Sequence, residues 1–148
     1  KKLVMNLTHA TRALRLAQEG DRVLPCALTN LGSVALEVST AEHVSIICIG
    51  HEDAFSLDDA LCAGHLIERI LAGPNSKKDE DYELNDAARA VRAFAQARKP
   101  TKRFLSLSAA GRAVIGVGLE DDLALCAGVD RHDVLVEMLD QSITRAGV

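Results

Sequence analysis

The segment from Val44 to Leu71 limits the folds open to this chain more than any other. It begins with an apolar, β-branched run, Val44 to Ile49, that suits a buried strand, and Gly50 ends the run. A helical pattern starts at Ser56, with Leu57, Leu61, Gly64 and Leu66 along one side. Ser56 and Asp59 have the spacing of a capping box, which places the helix start there. The loop between carries His51, Glu52, Asp53 and Asp58. In open α/β sheets ligands collect beyond the carboxyl end of a strand, beside a helix start whose N–H groups favour anions.

The flanking sequence extends this pattern. Leu3 to Leu7 reads as a short strand interrupted by Asn6. Thr8 to Thr11 reads as a turn, with Thr11 capping a helix that carries Arg12, Leu14 and Leu16 and stops at Gly20. Asp21 to Leu28 reads as a second strand, which Pro25 demotes toward an edge or a bulge. Asn30 and Ser33 start a short helix, Val34 to Ala41. Strands and helices in alternation imply parallel pairing with right-handed crossovers. The expected class is α/β, a three-layer α/β/α arrangement with a mainly parallel sheet, Val44–Ile49 at its centre and Cys48 buried. Beyond the break at Ala72–Ser76, Lys77 to Tyr82 reads as a solvated charged connection. Leu84 to Ala97 reads as a helix, Ala109 onward as a small helix ended by Gly116 and Gly118, and Leu119 to Cys126 as another with an acidic first turn. Val134 to Leu139 is a final strand or docked tail. No second domain is evident, so residues 1–148 are expected to form a single α/β domain.

Composition bounds the function. The 48% apolar content argues against disorder, and no apolar run approaches the roughly 20 residues that span a bilayer. A net charge of −4, no basic stripe and 3% aromatic residues argue against nucleic-acid binding. Cys26, Cys48, Cys62 and Cys126 form no CxxC pair and are expected as reduced, mostly buried thiols of a cytoplasmic protein. The N-terminus lacks signal-peptide layout. It opens on Lys1 and Lys2 without an initiator Met, so the chain is expected to be part of a longer protein. A parallel sheet missing strands would expose an edge, and a homo-oligomer is one way of covering it.

Three constellations can carry chemistry. Glu52, Asp53, Asp58 and Asp59 offer the oxygen ligands that magnesium takes, often one or two carboxylates completed by water and substrate phosphate. Alternatively Asp59 caps, Asp58 faces solvent and Glu52 pairs with a cation. Thr8, Thr11 and Arg12 can hold an anion at a helix start, or be a plain cap with a surface arginine. Ser108, Gly111, Arg112 and Asp122 offer a second anion contact and an acid, base or ligand; capping and a surface ion pair explain them equally well. No HExxH, GxSxG or GxxxxGK[ST] motif is present.

These same residues carry a resemblance. GHEDAFSLDDALCAG, Gly50 to Gly64, resembles the signature of the 2-phosphosulfolactate phosphatase family, which reads like G-x-E-G-x-F-S-L-E-D-x-L-C-A-G. SAAGRAVIGVGLEDDLALCAGVD, Ser108 to Asp130, resembles its C-terminal pattern of S-x-x-G-R, a glycine turn and an acidic D-x-x-x-C-A. LTHATRAL, Leu7 to Leu14, resembles its T-T-N-G-T-R-A-L motif, with His9-Ala10 in place of Asn-Gly. Asp53 likewise stands where the family has glycine, and the family's upstream D-x-x-R-A-T/S motif is not found. The resemblance implies the C-terminal portion of a magnesium-dependent hydrolase that releases phosphate from 2-phosphosulfolactate, giving 3-sulfolactate on the route to coenzyme M. It implies Glu52 and Asp59 for Mg2+, and Thr11, Arg12 and Ser56, joined by Thr8 and Arg112, for a small anionic substrate. Asp122 matches a further acidic position and is the catalytic candidate. Ala10 in the glycine position is expected to strain the turn if a positive φ is needed there. The alternative is a non-catalytic α/β ligand-binding or assembly module derived from the family.

Overall fold

The computed structural model describes residues 8–74, 82–140 and 142–146. Along them run α1 (Thr8–Ala17), a 3-10 turn (Leu28–Asn30), α2 (Leu31–Val38), α3 (Leu57–Leu71), α4 (Asp86–Ala97), α5 (Lys102–Leu105), α6 (Ala109–Gly116), α7 (Asp122–Cys126), β1 (Val136–Leu139) and β2 (Ser142–Arg145). The expected Leu3–Leu7 strand and most of the Lys77–Tyr82 connection lie outside the described residues. Among the described residues no helix is long and apolar enough to cross a membrane.

Helix α3 organises the packing. Its start is the expected one: Ser56 Oγ accepts from the Asp59 N–H at 3.2 Å. Its apolar positions recur at helical spacing, so Ala60, Leu61, Ala63, Gly64, Leu66, Ile67 and Ile70 are buried together. One side of this stripe joins α2 in a cluster of Leu28, Leu31, Val34, Ala35, Leu66 and Ile70. The other side meets α4, whose Asn85 cap accepts from the Ala88 N–H at 2.8 Å. Gly64 lets the two helices approach: a Cβ there would lie 2.1 Å from the Val91 carbonyl oxygen. At the edge of the contact Glu68 accepts from Arg92 at 2.5 Å and from Gln96 at 3.0 Å.

The strands differ from expectation. Helix and strand are mixed, as an α/β chain requires, but the sheet among the described residues is the antiparallel hairpin β1–β2. Three main-chain bonds tie the stretch at Val23 and the 3-10 turn to the C-terminal part of the chain: Met138 N donates to Val23 O, His132 N to Thr29 O and Asp130 N to Leu28 O, at 2.8–3.0 Å. Pro25 has no N–H to give, and the side chain of Asn30 bridges this stretch. Its Nδ2 donates to Pro25 O and Val134 O, both at 3.3 Å, and its Oδ1 accepts from Ala27 N at 2.8 Å.

Val44–Ile49, expected as the central strand, has no strand beside it among the described residues. Among the described residues its backbone makes no backbone–backbone hydrogen bond. Val44, Ile46, Ile47 and Ile49 are 37–48% exposed, and Cys48 is exposed rather than buried. The local pattern is that of a buried strand, but burial needs neighbours, and none lies alongside among the described residues. Nor are the other thiols fully buried: Cys126 is exposed, and Cys26 and Cys62 are half-buried.

At the other end, α1 already includes Thr8 to Thr11, so Thr11 lies within the helix instead of capping it. Among the described residues the non-glycine positions with positive φ are Glu52, Asp53, Asp130 and Asp140. Ala10 is therefore an unstrained helical residue, and alanine propagates a helix where Asn-Gly would not.

Candidate functional site

The loop joining Val44–Ile49 to α3 is shaped by its own backbone. His51 and Ala54 exchange both main-chain hydrogen bonds, at 3.1 and 2.9 Å. Glu52 and Asp53 form the two-residue turn between them, with φ of 50° and 60°. Positive φ at both central positions defines a type I′ turn, whose favoured residues are Asn-Gly. Both carboxylate side chains are exposed at its tip. Asp53 Oδ1 accepts from Arg12 Nη1 of α1 at 3.0 Å, with the two side chains 75% and 79% exposed.

The base of the loop is tied to the helix. The Gly50 N–H donates to Asp59 Oδ2 at 2.8 Å. Asp59 thus anchors the start of the turn instead of completing a reciprocal capping box with Ser56. Ser56 Oγ donates to Asp58 Oδ1 at 2.9 Å while it accepts from Asp59 N. Arg12, Asp53, Ser56, Asp58 and Asp59 are thereby joined through one loop, with Glu52 at its tip. Partial desolvation, and then the Asp59 charge, push the Cys48 thiol above its ordinary pKa, although the residue as a whole is exposed.

Two expected outcomes arise here. Ser56→Ala removes the α3 cap and should lower stability by about 1 kcal/mol in urea unfolding; a change within error would show that Asp58 and Asp59 hold the helix start alone. Asp53→Gly should act in the other direction. Relief of left-handed strain, about 1–3 kcal/mol, is set against a lost surface ion pair of about 0–1 and glycine's extra unfolded-state entropy of about 0.4–1. The terms centre on a net gain of about 1 kcal/mol, seen as a higher Tm, and a lower Tm would mean that the losses outweigh the strain.

The third constellation stays apart. Ser108 is 2% exposed, its Oγ accepting from Gly111 N and donating to Leu105 O, both at 2.9 Å, so it is the cap of α6. Arg112 is exposed and donates to Leu107 O. Asp122 is exposed at the start of the short α7. Among the described residues no hydrogen bond or ion pair links Arg112 or Asp122 to the Gly50–Asp59 loop. A cavity of about 380 Å³ on α4, lined by Leu84, Arg89, Arg92 and Gln96, contains none of the expected site residues.

Glu52 at the tip of the turn and Asp59 in the first turn of α3 are carboxylates, the kind of hard oxygen donor that magnesium takes from a protein, and Asp59 already accepts from Gly50 N. Among the described residues no three His, Cys, Asp or Glu side chains gather as a metal cluster. Sequence reasoning passed over Asp130 and Asp133. Asp130 accepts from the Gly32 N–H and from Arg69, and Asp133 accepts from Ser33 Oγ at 3.0 Å. The start of α2 is filled by the chain's own carboxylates, so it is not an anion site. Asp130 is the last residue of the Ser108–Asp130 stretch quoted above, but nothing near it in sequence points to α2.

A family model described as 2-phosphosulpholactate phosphatase matches residues 1–141. A protein named "Probable 2-phosphosulfolactate phosphatase" from Symbiobacterium thermophilum is 36% identical over 91% of this chain and 57% of its own length. Proteins of the same name are similar from Clostridium novyi, at 32% over 98% of the chain, and from Synechococcus sp. strain CC9605, at 33% over 99%. The chain spans 57–60% of the length of these three relatives.

Proposed function

Since the chain belongs to the 2-phosphosulfolactate phosphatase family, we propose that it carries part of the site at which 2-phosphosulfolactate is hydrolysed to 3-sulfolactate and inorganic phosphate. The observation that carries this reading is the contact of Arg12 with Asp53, which sets a guanidinium against the Gly50–Asp59 loop. An exposed ion pair is easily exchanged, and phosphate, sulfonate and carboxylate oxygens all accept from a guanidinium fork. Thr8 and Thr11 lie on the first turns of the same helix, and Ser56 fixes the helix start opposite.

In the reaction a water oxygen bonds to phosphorus and the ester P–O bond breaks, its electron pair passing to the sulfolactate oxygen, which takes up a proton. Asp122 is the proposed proton carrier and Arg112 a second anion contact. Glu52 and Asp59 are the proposed holders of Mg2+, which when bound supplies charge neutralisation at phosphate and lowers the pKa of a bound water. The chain's own part is to position: Arg12 orients the anion, and the Gly50–Asp59 tie holds the loop against α3.

The fold proposed with this function is a three-layer α/β/α arrangement with a mainly parallel sheet. In it, Val44–Ile49 is a strand whose neighbours come from polypeptide outside the described residues. Its β-branched composition supports that reading, as does a backbone with no main-chain partner among the described residues. The proposed setting is the cytoplasm, with coenzyme M synthesis as the pathway that consumes the product.

The test is phosphate release from 2-phosphosulfolactate by the intact protein, with magnesium and with a chelator. Magnesium-dependent release supports the proposal; binding of 3-sulfolactate without release would assign the non-catalytic module instead. Glu52→Gln should leave the Tm unchanged and weaken magnesium binding by at least the roughly 10-fold typical of losing an outer-shell partner. Equal affinity of both proteins in calorimetric titration would remove Glu52 from the metal site.

A further inference from the structure

We propose, resting on Arg12 as the residue that orients the anion, that Asp53 competes with the substrate for that guanidinium and sets how tightly oxyanions bind. Arg12 lies in the second turn of α1, and Asp53 in the turn at the tip of the Gly50–Asp59 loop, 41 residues further along the chain. One hydrogen bond joins them, from Arg12 Nη1 to Asp53 Oδ1 at 3.0 Å, and both side chains are largely exposed. Asp53 holds this place against its backbone preference. Its φ is 60°, at the second central position of a type I′ turn, where glycine fits best. What an aspartate brings there is its carboxylate, and the partner of that carboxylate is Arg12.

A carboxylate oxygen on a guanidinium N–H is the same contact that a phosphate, sulfonate or carboxylate oxygen of a substrate makes. Asp53 uses one N–H of the fork, so a tetrahedral oxyanion that grips two is the stronger partner. Against this, Asp53 is tethered. It meets Arg12 at the effective concentration of an intramolecular group, and a free anion must displace it before binding. Opening the pair costs the same whichever anion arrives. Loss of Asp53 should therefore strengthen every anion held by Arg12 by one common factor. The modest worth of an exposed ion pair limits that factor to about two- to fivefold.

The experiment is calorimetric titration of the whole folded protein, without magnesium, with inorganic phosphate and separately with 3-sulfolactate. Wild type, Asp53→Asn and Asp53→Gly are compared, each with and without Arg12→Gln. Asparagine keeps the size and tolerates positive φ but gives up the charge, and glycine removes the acceptor altogether. Both variants should bind both anions about two- to fivefold more tightly than wild type, and the gain should vanish beside Arg12→Gln. Asp58→Asn removes a charge from the same loop, where Asp58 is bonded to Ser56 and not to Arg12. In about 0.15 M salt it should change affinity by less than about 1.5-fold. Equal or weaker binding after loss of Asp53, with Arg12→Gln still abolishing binding, would overturn the proposal and leave Arg12 as the anion holder. An equal gain from Asp58→Asn would overturn it in favour of general charge repulsion. Phosphate affinity indifferent to Arg12→Gln, beside Asp53 and beside Asn alike, would remove Arg12 from the anion site and the competing role of Asp53 with it.

Discussion

Gly64→Ala is expected to destabilise the protein by about 2–3 kcal/mol in urea unfolding, although alanine is the better helix former. The propensity gain is about 1 kcal/mol. Against it, the new methyl would lie 2.1 Å from the Val91 carbonyl oxygen and 2.7 Å from Ala95 Cβ. The nearest obstacle is main chain, so no rotamer change relieves it, and α3 and α4 must move apart. Overpacking of a tight core costs roughly 1–3 kcal/mol, and a rigid backbone obstacle places this site at or above the top of that range. Gly116→Ala is the control, since a Cβ there meets nothing within 4 Å. If Gly64→Ala lost less than about 1 kcal/mol, the α3–α4 approach would be looser than it stands here.

Asn30→Ala should cost about 3 kcal/mol, again by urea unfolding. Asn30 is 7% exposed and satisfies Ala27 N, Pro25 O and Val134 O at once. A buried polar group left without its partner costs about 1–3 kcal/mol, and alanine cannot replace any of the three bonds. Partial rehydration of the carbonyls keeps the total below three full penalties. Asn30→Asp retains the acceptor for Ala27 N but sets a carboxylate against two carbonyl oxygens, so it should be no better tolerated. A loss under about 1 kcal/mol would show that water reaches this bridge freely.

The contrast between these two residues shows which features were legible in the sequence. The caps at Ser56, Asn85 and Ser108 were readable because donor and acceptor lie three residues apart. The helical stripe of α3 was readable for the same reason: its signal is local periodicity. Asn30 was read as a helix starter, since its partner Val134 lies 104 residues away. The ties from Asp130 and Asp133 to α2 were hidden likewise. The turn at Glu52–Asp53 is not legible because neither residue advertises a positive φ, and nothing in the sequence around Arg12 marks Asp53 as its partner. The Val44–Ile49 run has strand-like composition, but composition does not supply the neighbours that bury a strand. Arg112 and Asp122 were grouped by motif, and the described residues do not bring them to the Gly50–Asp59 loop.

The long reach from Asp130, Asp133 and Val134 back to the start of α2 also dictates when that half of the molecule can settle. Gly32 and Ser33 find their acceptors 98 and 100 residues further along the chain. At synthesis rates of about 5–20 residues per second, the start of α2 waits on the order of 5–20 s for those acceptors to be made. A helix itself forms in about a microsecond or less, so the delay belongs to translation and not to local folding. Throughout that interval Leu31 and Val34 lack the C-terminal strap that closes over the beginning of their helix. The order that depends on these ties is thus completed only once Asp130, Asp133 and Val134 have been made, and a nascent chain halted before Asp130 leaves the start of α2 without its acceptors.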